Sequence, residues 1–271
     1  MQTAQRIRMT ILIFLAAALV LTAALGPYLA PKDPFEIHLL RSYRPPDAEN
    51  LMGTDKLGRD LCSRILYAAR GSFALTFTMV MLVAFIGVVI GTTAGYTGGL
   101  VDSLAMQAAD VLMAFPTLVF AIAIAGIWGP GIFHTVCALA MVSWAKYAYM
   151  TRGLVAEILG KNYVVQARFG GSGMGRIIVR YILPNILPHI IIMAALDIGE
   201  MLMTISALSF LGLVSQPPFP EWGHMLAECR GVMLIHPHMM IFPSLALFIT
   251  VIVFNLLGDS LRDYLDPKNG G

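Results

Sequence analysis

The chain has few charged residues, and long stretches of it have none. Asp, Glu, Lys and Arg together make up 13% of its 271 residues, and hydrophobic residues make up 58%. Soluble domains carry about 25% and roughly 45–50%, respectively. Because helices satisfy their own backbone hydrogen bonds in lipid, this composition predicts an all-α membrane protein.

Common motifs of nucleotide-binding and hydrolytic sites are also absent. Gly160-Lys161 is followed by Asn162 and has no glycine five residues before it, so there is no G-x-x-x-x-G-K-[ST] phosphate loop. There is no H-E-x-x-H zinc helix, and the run 170–174 departs from G-x-S-x-G at its last position. We therefore predict no ATPase site, no catalytic constellation and no bound cofactor in this chain.

Cysteine is scarce, and the net charge is small. Cys62, Cys137 and Cys229 lack the spacing of a zinc site. Free thiols are the expectation, with a Cys62–Cys229 pair as the alternative. A formal net charge of +2 does not indicate a nucleic-acid partner.

Uncharged stretches of about 20 residues, the length that crosses a bilayer as a helix, recur along the chain. We predict six transmembrane helices from them. Two lie within Val111–Ala145, which Gly129-Pro130-Gly131 divides because glycine and proline favour a tight turn. The other four are Met9 to about Ala30, about Phe73 to Tyr96, about Ile186 to Val214, and about Met239 to Leu257.

Basic residues predict the orientation of these helices, because they accumulate on the cytoplasmic side. Arg6 and Arg8 place the N-terminus in the cytoplasm. Four crossings return the chain to that side at a second basic group, and six crossings place the C-terminal tail there as well. These basic residues are Lys146, Arg152, Lys161, Arg168, Arg176 and Arg180, with Arg262 and Lys268 in the tail.

Three regions follow from this topology. Residues 1–71 comprise an anchor helix and an outer loop, Pro31–Gly71, whose seven basic and six acidic residues predict a folded element. Residues 72–258 form a five-helix core, and residues 259–271 form a cytoplasmic tail. We interpret the first helix as a retained anchor, because it is long for a secretory signal and no convincing A-x-A-like site follows it.

A polar segment of about residues 152–185 interrupts the core. Five basic residues surround its glycine-rich run 170–175. Because such charges and glycines do not suit a spanning helix, we expect a cytoplasmic platform that another protein binds.

The second predicted helix carries three glycines spaced by four, Gly87, Gly91 and Gly95, and this spacing predicts a smooth packing face. Its partner is either a helix of this chain, which we favour, or a second subunit.

Four stretches of characteristic sequence occur in order along the chain. They are Met52-Gly53-Thr54-Asp55-Lys56-Leu57-Gly58-Arg59-Asp60 with Ser63-Arg64; Tyr163-Val164-Val165-Gln166-Ala167-Arg168 with Gly171 and Ile182-Leu183-Pro184-Asn185; Leu208-Ser209-Phe210-Leu211-Gly212-Leu213 with Pro217-Pro218 and Glu221-Trp222-Gly223; and Asn255-Leu256-Leu257-Gly258-Asp259-Ser260-Leu261-Arg262-Asp263 with Asp266-Pro267. With these stretches the chain resembles, over nearly its whole length, the permease subunits of bacterial ABC importers of the peptide and nickel branch. The resemblance implies a type I ABC importer permease fold with six transmembrane helices and a cytoplasmic coupling helix.

The resemblance also implies partners and a location. They are a second homologous permease, two ATP-binding subunits that hold ATP and Mg, an extracytoplasmic solute-binding protein, and the lipid of the bacterial inner membrane. The coupling helix would dock on an ATP-binding subunit. The family's glutamate-alanine-alanine pattern falls on Val165, Gln166 and Ala167, followed by Arg168, with its glycine at Gly171. Only Ala167 and Gly171 match, so the usual carboxylate is missing.

Two carboxylates lie in the fifth predicted helix. Asp197 and Glu200 are three residues apart on one helix face, and Asp197 lies near the middle of the bilayer core. Intramembrane carboxylates usually face a cavity or a partner charge, so they are candidates for the translocation path. Met193 and Met201 share their stripe, and these four side chains offer transient ligands to a metal cation. The alternative is that they only pack and hydrogen-bond.

The choice of substrate depends on departures from the peptide permeases. These typically carry a glutamate shortly before Leu-Ser-Phe-Leu-Gly, where this chain has Ile205. The run Leu196-Asp197-Ile198-Gly199 instead resembles the nickel branch. We therefore predict passage of nickel or a nickel chelate, with dipeptides or oligopeptides as the alternative. His224, His236 and His238 in the last outer loop are candidate ligands because imidazole suits nickel, or else surface residues.

Two other classes of function stay open. An ATP-independent carrier or channel would use Asp197 and Glu200 as ion sites and would transport without nucleotide. A membrane-embedded enzyme is the other class, but no catalytic motif supports it.

Overall fold

A computed structural model describes residues 2–214 and 220–265. Within these ranges the structure contains ten α-helices and no β-strand beyond one isolated bridge between Thr54 and Asp60. The all-α fold is therefore confirmed for this part of the chain. Pro217-Pro218, Asp266-Pro267 and Lys268, which entered the sequence argument, lie outside the described residues.

Most of the helices are joined by short connections, whereas residues 30–60 separate α1 from α2. They are α1 (Gln2–Leu29), α2 (Leu61–Thr97), α3 (Gly99–Met113), α4 (Thr117–Trp128), α5 (Ile132–Leu159), α6 (Asn162–Phe169), α7 (Met174–Ile177), α8 (Leu183–Phe210), α9 (Trp222–Cys229) and α10 (His238–Leu265). A π-helical stretch, Ile178–Ile182, joins α7 to α8.

Four segments are long and apolar enough to cross a membrane: Gln5–Leu29, Leu61–Thr97, Met174–Phe210 and His238–Leu265. Helices α3 and α4, which are bent by 86° relative to each other, make a fifth if they count as one broken span. Helix α5 is 28 residues long but less apolar. Length and composition thus support four or five spans in the described residues, and the predicted count of six is not established.

Two helix boundaries differ from the sequence prediction. Helix α2 begins at Leu61 rather than at about Phe73, because the Asp60 side chain caps it by accepting a 2.8 Å hydrogen bond from the Ser63 amide. The stretch predicted as the third span is broken at Pro116, which precedes α4. The predicted division at Gly129–Gly131 is confirmed, since α4 ends at Trp128 and α5 begins at Ile132.

The glycine stripe of α2 packs against α5 of the same chain. A Cβ atom added to Gly87 would lie 2.5 Å from the Trp144 carbonyl oxygen, and one added to Gly91 would lie 2.4 Å from that of Ala148. A Cβ atom added to Gly95 would lie 2.9 Å from the Arg152 carbonyl oxygen. Such contacts leave no room for a side chain, so the prediction of an internal packing face is confirmed.

Helices α8 and α10 also meet through glycines. A Cβ atom on Gly199 would lie 2.5 Å from the Asn255 amide oxygen, and one on Gly258 would lie 3.0 Å from the Leu196 backbone nitrogen. The last characteristic stretch of the sequence therefore supports the segment of α8 that carries Asp197.

The segment before α2 is a folded element, as its balanced charge predicted. Arg59 Nε lies 2.6 Å from Asp55 Oδ2, and Arg64 of α2 contacts both Asp55 and, at 2.8 Å, Glu228 of α9. Burial opposes ionisation of Glu228, but the guanidinium groups of Arg64 and Arg59 outweigh it and lower the pKa of this carboxyl. The four residues tie this segment to α9 and form the outer charge cluster. The three cysteines are free thiols, as expected.

We predict that Gly91→Ala destabilises the protein, because the new methyl group would meet the backbone of α5. Overpacking of this kind typically costs about 1–3 kcal/mol of unfolding free energy. Thermal unfolding of the purified protein in detergent measures the effect. Gly153→Ala on α5 is the matched control, since nothing lies within 4 Å of its added Cβ. Equal unfolding temperatures for the two variants would contradict the close contact of α2 with α5.

Candidate functional site

The two carboxylates of the fifth predicted span contact the same lysine. Lys146 of α5 forms an ion pair with Asp197 of α8 and a second one, at 3.1 Å, with Glu200. The hydroxyl group of Tyr147 donates a hydrogen bond of 3.0 Å to Asp197 Oδ2. We call Lys146, Tyr147, Asp197 and Glu200 the central charge cluster.

Close helix packing positions this cluster. Gly87 of α2 would place a Cβ atom 2.4 Å from Tyr147 Cβ, so the absence of a side chain lets α5 and its tyrosine approach. The i,i+3 spacing of Asp197 and Glu200 turns both carboxylates towards α5. The predicted shared face of α8 is therefore confirmed.

The members of the cluster differ in exposure. The Asp197 side chain is 2% exposed, that of Lys146 27%, and that of Glu200 69%. A buried carboxylate is tolerated where a charge partner and hydrogen bonds replace its hydration, and Lys146 and Tyr147 supply both. Glu200 faces outward and can exchange its partner, so the cluster has a fixed inner part and an accessible outer part.

A cavity of about 160 Å³ adjoins the outer part of the cluster. Lys146, Glu200 and Met201 line it beside hydroxyl groups and apolar side chains. Asp197 lies behind this lining, and Met193 packs against the apolar core instead. The further lining residues are Met113, Phe115, Thr117, Val142, Ser143 and Thr204.

The cavity presents both signs of charge within a small volume. An ammonium group can bind an anionic part of a solute, and the exposed carboxylate can bind a cationic part. In residues 2–214 and 220–265 no group of three His, Cys, Asp or Glu side chains is arranged to hold a metal ion. The arrangement suits brief contact with a charged solute that crosses the membrane.

Lys146 and Tyr147 are the residues of the candidate site that sequence reasoning missed. The prediction ended the fourth span at Ala145 and assigned Lys146 to the cytoplasmic side. Helix α5 continues to Leu159, so Lys146 lies near its middle. The signal in the sequence was that Lys146 is the first charged residue after the long uncharged stretch Val111–Ala145.

Residues of the predicted coupling segment lie on α6 and in the turn after it. Val165 and Ala167 are partly buried, whereas Gln166 and Arg168 are exposed. Gly171 has a φ of +78° and open space around it, and the turn is closed by a 3.0 Å hydrogen bond from the Ser172 amide to the Ala167 carbonyl. Phe169, between these residues, is 89% exposed. The platform patch, defined as Gln166, Arg168 and Phe169, thus faces outward.

The three outer histidines have separate surroundings. His236 stacks on Tyr43 with ring centroids 4.6 Å apart, and its ring centroid is 6.1 Å from that of His238. Both ring nitrogens of His224 are buried without a hydrogen-bond partner in the described part of the chain. Burial lowers the pKa of His224, while Glu228 opposes that shift and Arg64 adds to it. Its surroundings beside the outer charge cluster therefore favour the neutral imidazole.

The third characteristic stretch joins α8 to α9. The Ser209 hydroxyl contacts the Glu221 carboxylate, and the Trp222 indole donates a 3.0 Å hydrogen bond to the Ile65 carbonyl of α2. A Cβ atom on Gly223 would lie 2.5 Å from the Ser206 carbonyl oxygen. Ile205, which stands where peptide permeases typically carry a glutamate, is 1% exposed in the apolar core.

Comparison with protein families and solved structures agrees with this architecture. The family described as "Binding-protein-dependent transport system inner membrane component" matches residues 87–270. A chain of the MetNI methionine ABC transporter in an inward-facing form aligns with a TM-score of 0.52 and 16% identity, over 73% of this chain and 97% of that one. A chain of an amino acid ABC transporter with histidines gives a TM-score of 0.50 and 20% identity, over 72% and 94%. These likenesses support a type I ABC importer permease fold.

Several curated proteins are similar in sequence. The nickel transport system permease protein NikC of Escherichia coli (strain K12) is 39% identical over 94% of this chain and 92% of its own length. The glutathione transport system permease protein GsiD of Pectobacterium atrosepticum is 44% identical over 82% and 74%. The di/tripeptide transport system permease protein DppC of Pseudomonas aeruginosa is 38% identical over 92% and 84%.

We predict that Lys146→Met destabilises the protein by about 3–5 kcal/mol, because it leaves the Asp197 carboxylate buried without a charge partner. The double variant Lys146→Met/Asp197→Asn should recover much of this loss, since the remaining amide carries no charge. Thermal unfolding in detergent compares the unaltered protein, the single variants Lys146→Met and Asp197→Asn, and the double variant. Additive effects of the two single substitutions would contradict a coupled pair.

Proposed function

Since the chain belongs to the binding-protein-dependent transport system inner membrane component family, we propose that it forms part of the path by which an ATP-driven importer passes a nickel complex. The chain is a permease subunit of an ABC importer and a transport subunit rather than an ATPase. The proposal concerns the solute, the path and the partners.

The contact of Lys146 with both carboxylates carries the proposal about the solute. A bare Ni²⁺ ion bound to Glu200 would lie close to the Lys146 ammonium group, and the two positive charges would repel each other. A chelated ion brings its own ligands and a smaller net charge. It therefore fits beside Lys146 without displacing it, and we favour a nickel chelate over the free ion.

Peptides are the second candidate solute. A peptide carries an ammonium and a carboxylate group, which match Glu200 and Lys146 respectively. Two of the similar proteins are named as glutathione and di/tripeptide permeases, with identities close to that of the nickel permease. Identity and coverage do not separate these relatives, so the nickel proposal rests on Ile205 and the Leu196–Gly199 run.

The proposed path runs along the exposed face of α8. Glu200 and Met201 line the cavity and would touch the solute, whereas Asp197 would hold Lys146 in position from behind. Met193 is partly buried against the apolar core and does not line the cavity, so we leave it out of the path. Of the three outer histidines, His236 would meet the solute before it enters, because both ring nitrogens of His224 and Nε2 of His238 are buried.

The proposed assembly follows the family. A second homologous permease would close the path, two ATP-binding subunits would hold ATP and Mg beneath it, and a solute-binding protein would deliver the solute from outside. Val165, Gln166, Ala167, Arg168 and Gly171 would form the contact with an ATP-binding subunit. In this arrangement both termini lie in the cytoplasm, and the chain lies in the bacterial inner membrane. Transport follows from a different solute affinity in the inward-facing and outward-facing states.

Uptake by vesicles that contain the complete reconstituted transporter tests the solute. We expect ATP-dependent accumulation of radioactive nickel that increases when histidine is added as a chelator and that dipeptide or glutathione does not reduce. Glu200→Gln should lower this uptake about tenfold, the effect of losing one charge-assisted contact of roughly 1.4 kcal/mol.

Glu157→Gln is the matched control, because Glu157 is a similarly exposed carboxylate, paired with Lys161 near the end of α5. ATP-dependent uptake of dipeptide instead of nickel would assign the chain to the peptide branch. Uptake without nucleotide would indicate a secondary carrier or channel and contradict the proposal as a whole.

Co-purification with the ATP-binding subunit tests the platform patch. We expect Phe169→Asp to reduce the bound ATP-binding subunit at least about tenfold, because an exposed aromatic side chain of this kind is typical of an interface anchor worth about 2 kcal/mol. Leu40→Asp is the control, since Leu40 is 98% exposed in the segment before α2. Equal retention by the two variants would exclude the patch as the docking surface.

A further inference from the structure

An apolar groove with two lobes runs along α10. One lobe, of about 500 Å³, lies between α8, α9 and α10. The other, of about 590 Å³, lies between α10 and the segment that precedes it. Met240, Ser244 and Phe248 line both lobes and form the ridge between them. The groove therefore offers two adjacent apolar channels on a membrane-spanning helix.

A cationic side chain stands at one end of this groove. The Arg230 guanidinium lies 4.5 Å from the ring centroid of Phe210, which lines the first lobe, and it donates a 2.5 Å hydrogen bond to the Phe210 carbonyl. Arg230 is exposed, so the remaining guanidinium donors face outward. Because Phe210 ends α8, this charge lies at the level where a spanning helix leaves the apolar core of the bilayer.

The segment after Arg230 is unusually apolar for a connection between helices. Met233, Leu234 and Ile235 are 40%, 91% and 74% exposed, and Met233 and Leu234 line the second lobe. Exposed apolar side chains at a helix end are stable where they enter the boundary between lipid headgroups and acyl chains. The apolar segment and the Arg230 guanidinium thus both lie at the boundary between lipid headgroups and acyl chains.

We propose that the groove binds an anionic phospholipid from the leaflet on the α9 side, with its two acyl chains in the two lobes and its phosphate on Arg230. The apolar lining matches the chains, and the guanidinium matches the phosphate in charge and in hydrogen-bond geometry. A bound lipid would hold the end of α8 against α9 and α10. Basic side chains beside grooves between membrane-spanning helices are suited to anionic headgroups for the same reason.

Native mass spectrometry of the delipidated complete transporter tests this site. At equal concentration, phosphatidylglycerol should be retained about tenfold more than phosphatidylcholine, because its headgroup lacks a cation to compete with Arg230. Arg230→Gln and Ser244→Trp should each remove this preference, the first by loss of charge and the second because an indole on the ridge between the lobes obstructs the acyl chains. Arg230→Lys should keep it, since a point charge still attracts the phosphate.

Arg70→Gln is the matched control, because Arg70 is an exposed arginine on α2 near the same end of the bundle. Equal retention of the two lipids, or an unchanged preference in Arg230→Gln, would overturn the proposal. A photoreactive residue at position 244 identifies the occupant directly. An adduct with phosphatidylglycerol supports the lipid site, whereas an adduct with a helix of a second permease overturns it.

Discussion

A carboxylate in the apolar interior of a helix bundle needs a nearby positive charge, and the contact of Asp197 with Lys146 meets that need. This ion pair joins α8 to α5, and the Tyr147 hydroxyl adds a second tie between the same helices. Because burial makes an unpaired charge costly, the pair restricts how these helices can slide past each other. Glu200 shares the lysine and extends the pair to the cavity surface, so helix packing and the charge at the cavity surface depend on the same ammonium group.

The glycines of α2 and α8 make this contact possible. Without side chains at Gly87 and Gly91, α5 lies close enough to α2 for Tyr147 to be fully buried, and Gly199 lets α10 support α8 from the other side. In lipid, van der Waals contact between closely packed helices takes the role that water exclusion has in soluble proteins. The central charge cluster is therefore positioned by close packing at uncharged glycines.

Charge is concentrated at three levels of the bundle. The outer charge cluster ties the segment before α2 to α9, the central charge cluster lies beside the cavity, and the platform patch presents Arg168 with an exposed phenylalanine. The first is buried and closed, whereas the second and third have exposed members that can change partners. This difference separates a fixed part of the scaffold from two surfaces that are accessible to other molecules.

The amino-acid sequence alone determined the membrane class, most helix positions, the packing role of Gly87, Gly91 and Gly95, and the candidate carboxylates, because hydropathy and spacing are local properties. It did not determine the partner of Asp197, since Lys146 lies 51 positions away and only the crossing of α5 with α8 brings them together. The position of Met193 outside the cavity lining likewise depends on tertiary contacts, whereas the break at Pro116 and the start of α2 at Leu61 follow from local signals that the prediction did not use. Long-range pairing decides which polar groups are satisfied, and no local pattern records it.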